Sequence, residues 1–168
     1  MTRIFMVLAI MAIFPRTALA EDYATPRELL QELDHLQSAP CDINCQIKIA
    51  NMYSKHFLES QRHAVMLGLE NEEYRKKNVM LFFGEEIPIE DLKAMSSEEF
   101  LARQLWYRER TTPSDMILKK LEIISERQIS KTEIKMVVVR SGLKADPKYK
   151  EEGFMTFIKE GGTWKIKH

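Results

Sequence analysis

The residues able to do chemistry are few. Cys41 and Cys45 are separated by Asp42-Ile43-Asn44, a three-residue spacer where thiol-disulfide oxidoreductases use two. Two thiolates supply half of a tetrahedral metal site, and no Cys or His pair nearby supplies the rest, so no metal is expected. A structural disulfide between Cys41 and Cys45 is the expectation. Pro40 places the pair across a turn and a helix start, where the backbone can adapt to bridge geometry. His56 and His63 are seven apart, two helical turns and about 10 Å of rise, too far to chelate one ion by themselves. Tyr53, three residues before His56, could orient it as a base, but no nucleophile or electrophile accompanies the pair. Trp106-Tyr107-Arg108 is the densest aromatic and basic cluster. It reads either as a binding rim or as a helix end with Trp106 in the core and the arginines near the C-terminal dipole. Tyr53, His56, Trp106, Tyr107 and Arg108 are therefore the candidate ligand or partner residues, and no catalytic residue is assigned. His35 reads as solvated and His168 as terminal. Gly-x-Ser-x-Gly, His-Glu-x-x-His and glycine-rich phosphate loops are all absent, and no cofactor is expected.

The first twenty residues bear on where the protein works. Arg3 precedes an apolar run from Ile4 to Phe14, and Ala18-Leu19-Ala20 offers the small residues a signal peptidase needs. The run is too short for the ~20 apolar residues of a membrane span. Export with cleavage after Ala20 is expected, giving a periplasmic or secreted chain that starts at Glu21, with no membrane span after cleavage. The nearest thiol, Cys41, is too far from that point for a lipid anchor. The 168-residue chain carries 25 basic and 25 acidic residues. Loss of Arg3 and Arg16 leaves a small acidic excess, with charges of both signs alternating as in Glu72-Glu73-Tyr74-Arg75-Lys76-Lys77. That pattern describes solvated helix faces and not a nucleic-acid surface.

Residues 21–168 read as a single α+β domain, helical over about 25–120 and stranded over about 121–168. Thr25-Pro26-Arg27-Glu28 is a capping box with proline at the first helical position, and Leu29, Leu33 and Leu36 form the apolar stripe. Asp42 or Asn44 can cap a long second helix running through Ile43, Ile47, Ala50, Phe57, Val65 and Leu69 to Phe83, with Gly68 a possible break and Gly84 a stop. Ser96 with Glu99 opens a further helix, and Thr112-Pro113 a short last one. Met136-Val137-Val138-Val139 reads as a central strand covered on both faces. Trp164 and Ile166 alternate with Lys165 and Lys167, which gives the last strand one apolar and one wet face. A two-residue Gly161-Gly162 turn sets Lys159 opposite Trp164, Phe157 opposite Ile166 and Met155 opposite His168.

The segment Ile89-Glu90-Asp91-Leu92-Lys93-Ala94-Met95-Ser96-Ser97-Glu98-Glu99-Phe100 and the ending from Phe154 to Ile166 resemble secreted members of the nuclear transport factor two-like superfamily. The resemblance implies a cone-shaped α+β fold, with N-terminal helices packed on a curved antiparallel sheet formed by the C-terminal third. Its members use an apolar pocket for small-molecule binding, for isomerase or dehydratase chemistry, or for subunit association. The reading reached from sequence is an exported noncatalytic binding module that holds an apolar small molecule or an envelope protein. An acid-base enzyme of the isomerase or dehydratase type, and an inhibitory or immunity-type envelope protein, are the alternatives. A convergent His with a carboxylate in a deep pocket would mark the enzyme, a dry apolar pocket the small-molecule binder, and a filled core with exposed aromatic surface the protein partner.

Overall fold

Short polar side chains set the helix starts locally. The computed structural model describes residues 22–113, 116, 120–143 and 146–167. The expected signal segment and its cleavage point lie outside these residues, as do His168 and most of the stretch after Thr112-Pro113 where a short helix was expected. Helix α1 (Pro26–Gln37) opens on the complete capping box: the Thr25 hydroxyl accepts from the Glu28 amide at 3.2 Å, and the Glu28 carboxylate accepts from the Thr25 amide at 3.2 Å. Asp42 caps α2 (Ile43–Asn51), Ser54 caps α3 (Lys55–Leu69) and Asn71 caps α4 (Glu72–Phe83), each accepting from the amide three residues on. After the short α5 (Ile89–Ala94), Ser96 caps α6 (Ser97–Thr111) in the same way at 3.1 Å.

The long helix expected from Asp42 to Phe83 is therefore three helices. After α2 the chain leaves the helical path because Met52 to Ser54 pair with the last strand: the Met52 carbonyl accepts from the Ile166 amide at 2.8 Å, and the Ser54 amide donates to the Ile166 carbonyl at 2.7 Å. The second break falls at Glu70 and Asn71, not at Gly68. Gly68 stays inside α3, where the Tyr74 ring lies so close that a Cβ would sit 2.8 Å from it.

Strands β1 (Lys120–Ser130), β2 (Glu133–Ser141), β3 (Lys150–Glu160) and β4 (Thr163–Ile166) form an antiparallel meander in that order. The fold is α+β. The closing hairpin has the expected register, with Lys159 opposite Trp164 and Phe157 opposite Ile166. Gly161 (φ 59°) and Gly162 (φ 97°) supply the two left-handed residues that such a tight turn requires. Trp164 and Ile166 are buried.

The apolar residues divide into two cores. Leu29, Leu30 and Leu33 of α1, with Ile49 and Met52, pack on Ile134, Met136, Val138, Phe157, Trp164 and Ile166 of the sheet. Met66, Leu69, Val79, Phe83, Leu92 and Phe100 form the second core among α3 to α6. Among the described residues the apolar helical core lies against one face of β2, which corrects the reading of β2 as covered on both sides. Met136 and Val138 are buried whereas Val137 and Val139 are half-buried among cross-strand neighbours on the outer face. That outer face is also less wet than expected at its end. The Lys165 ammonium donates to the Asn51 carbonyl at 2.6 Å, and Lys167 pairs with Glu133 at 3.0 Å.

Candidate binding site

The α2–α6 contact gathers the anchored polar groups. Cys41 and Cys45 are joined, with Cα atoms 5.4 Å apart, across the start of α2 where Asp42 caps the Cys45 amide at 2.8 Å. Glu109 of α6 reaches this turn: one carboxylate oxygen accepts from the Cys41 amide at 3.0 Å and the other from the side-chain amide of buried Gln46. No local pattern distinguished Glu109 from the arginines beside it, because its partners are remote in sequence.

Tyr53 follows α2. Its backbone lies against Ile166, and its ring stacks on Phe57 with centroids 4.9 Å apart and planes inclined by 20°. Tyr53 thus orients toward Phe57, while His56 sits exposed in the first turn of α3 and His63 is exposed further along. The orientation of His56 by Tyr53 that their spacing allowed is not formed, because Tyr53 lies before the Ser54 cap and outside the helix that carries the histidine. Burial pushes the Tyr53 phenol above its ordinary range, while Arg140 of β2 and Arg108 of α6 pull it down. Tyr53 and Arg108, both singled out from sequence, are therefore near enough to interact, and Arg140 joins them. Among the described residues, the phenol has no hydrogen bond and neither arginine has an ion pair. A phenol kept protonated is a poor general base at neutral pH.

Trp106, Tyr107 and Arg108 do not make one surface, since successive helical residues point about 100° apart. Trp106 is half-buried outside both cores, with the Arg110 guanidinium 4.6 Å from its ring centroid, which corrects its expected place in the core. Tyr107 packs instead on Gly84, the left-handed cap of α4 (φ 73°), where any Cβ would overlap its ring.

Two shallow depressions indent the helical side. One is lined by Leu67, Gly68, Tyr74 and Lys77. In the other, Arg103 bridges Glu85 at 3.0 Å and Glu99 at 3.1 Å. Neither lies between helices and sheet. Among the described residues no three His, Cys, Asp or Glu side chains are placed to hold a metal ion, and no helix is long and apolar enough to cross a membrane. Besides Met116, Ile129 and Tyr149, large apolar side chains are exposed in two places. Leu67, Tyr74, Met80 and Leu81 lie on α3 and α4, and Ile124 and Phe154 lie on the outer sheet face, where the Lys135 ammonium is 4.3 Å from the Phe154 ring centroid. Comparison with protein-family models, with curated proteins and with solved structures finds no match.

Proposed function

We propose that the chain acts as an exported, noncatalytic module that binds an envelope or secreted protein, on a scaffold of the nuclear transport factor two-like kind. The observation that carries this reading is the two-sided character of α4. Val79 and Phe83 face the second core, while Tyr74 and Leu81, seven residues apart and so on one side, face outward, with Leu81 67% exposed. A helix that keeps apolar residues on its solvent side at the edge of a filled core has surface to give to a partner. The packed interior between α1, α2 and the sheet argues against a large apolar guest there.

The reading is tested in exporting cells by placing a photo-crosslinking residue at Leu81 or, for comparison, at exposed His35. A discrete heterologous adduct from Leu81 alone, abolished by Tyr74→Glu, is expected. Intact mass of the exported chain should begin at Glu21. Equal labelling from both sites, or a chain retained in the cytoplasm, overturns the proposal.

A further inference from the structure

The two edges of the sheet are finished differently. The outer edge of β4 is covered at one end by Tyr23, whose carbonyl accepts from the Trp164 amide at 3.3 Å, and at the other by Met52 to Ser54. Among the described residues no chain lies along the outer edge of β1, which is the first strand of the sheet and exposed over most of its length. An open edge of this kind is a template for another strand.

The side chains of β1 specify which strand. A bulge between Ile123 and Ser125 shifts the register, so that Leu121 and Ile123 share the buried face with Arg140 and Val138 before it, whereas Glu126 and Gln128 share that face with Met136 and Ile134 beyond it. A bulge usually protects an edge, because an ordinary strand laid beside it meets the wrong face on one side. A copy of the same strand does not. In an antiparallel pair centred between Ile124 and Ser125, Ile123 meets Glu126, Leu121 meets Gln128 and Glu122 meets Arg127, and every residue keeps its face. Centring the pair on Ile124 instead would set Glu122 against Glu126 and mismatch the faces.

The charges agree with the first register. Arg127 stands opposite Lys135 within the sheet, a like-charge neighbour, and neither Arg127 nor Glu122 has an ion pair among the described residues. Glu126 is already committed to Arg27 at 3.0 Å. Ile124, 54% exposed, would lie at the centre against Ser125 of the second copy.

We propose that β1 pairs antiparallel with β1 of a second copy about a two-fold axis at the bulge, giving a continuous eight-stranded sheet in which Glu122 of each copy meets Arg127 of the other. This does not depend on the partner reading of α4, which uses a different surface. One strand pair is a small interface, under about 1,200 Å², so the association is weak and concentration-dependent.

Sedimentation velocity of the exported chain across the micromolar range should show a monomer–dimer equilibrium, with hydrogen exchange of β1 amides slowing as concentration rises. Glu122→Arg or Arg127→Glu alone brings like charges together twice per dimer and should weaken association about tenfold. The double exchange should restore it. A monomer at every concentration, single variants that dimerise normally, a double variant that stays monomeric, or a dimer lost instead on Phe154→Asp overturns the proposal. Should a single variant fail to fold, amide exchange in the unaltered chain decides alone: no slowing along β1 refutes the pairing.

Discussion

Glu109 offers the sharpest test of how α2 is held. Its carboxylate takes the Cys41 amide at 3.0 Å and the side-chain amide of Gln46, a residue only 4% exposed. Glu109→Ala removes both acceptors together, and neither donor has water freely at hand. Leaving a buried donor unsatisfied costs about 1–3 kcal/mol, so two such losses predict a destabilisation of roughly 2–6 kcal/mol. That is a large part of the 5–15 kcal/mol typical of a domain. Glu109→Gln should behave differently. Its carbonyl can keep the Cys41 amide, and a turned-over Gln46 can present its own carbonyl to the new NH₂, so a loss of about 1 kcal/mol is expected from exchanging charged for neutral hydrogen bonds. The assay is urea unfolding of the oxidised proteins, followed by fluorescence. Equal stability of Glu109→Ala and the unaltered chain would falsify the clamp. Equal, severe losses in both variants would show that charge, and not the number of acceptors, matters.

Three further outcomes are expected. Trp164→Ala should cost about 3–5 kcal/mol as a large-to-small change in a packed core; a neutral result in denaturation would make Trp164 a surface residue in solution. Gly84→Ala forces a left-handed residue, about 1–2 kcal/mol for a non-glycine, onto the Tyr107 ring, so the loss should exceed that figure and shrink in a Tyr107→Ala background. A loss unchanged by Tyr107→Ala would place the cause in the backbone alone. Tyr53, with its phenol raised from 10.0 by burial, should ionise above the ordinary tyrosine range in an ultraviolet titration. The unfolded chain loses this proton first as pH climbs past about 10, so the Tyr53 contribution is intact below that pH and is lost as pH rises through the folded value. Tyr53→Phe should remove that component, and a titration curve identical to the unaltered chain would reject the assignment.

What the sequence disclosed was what depends on a few adjacent residues. Thr25 with Glu28, Ser96 with Glu99, and Gly161-Gly162 with its hairpin register each rest on contacts within a few positions, and all three form as the local chemistry requires. The break after α2 rests on pairing between Met52, Ser54 and Ile166, more than a hundred residues away, and its local sign is the single capping residue Ser54. Val137 and Val139 have the composition of a doubly covered strand, but cover depends on whether a second layer exists, which the strand itself does not encode. The candidate site was legible by residue type and not by grouping. Tyr53 and Arg108 come together with Arg140, while His56, Trp106 and Tyr107 point elsewhere because a helix turns consecutive side chains apart.

The concentration of anchors on α2 has a physical reason. Nine residues are too few to hold a helix in water, where about 12–15 are needed even with favourable composition. Yet this helix must deliver Met52 to Ser54 to the edge of β4 and also pack on α6. The structure restrains it at both ends. The disulfide and the Asp42 cap fix its start, Glu109 binds Gln46 within the first turn, and the Lys165 ammonium holds the Asn51 carbonyl at the negative end of the helix dipole. Burial lowers the Lys165 pKa, and Glu160 partly restores it. These restraints act on one short element, so their removals should not add. Once one end of α2 is released, the other restraints hold a segment already free to fray, and a second substitution should cost less than it does alone.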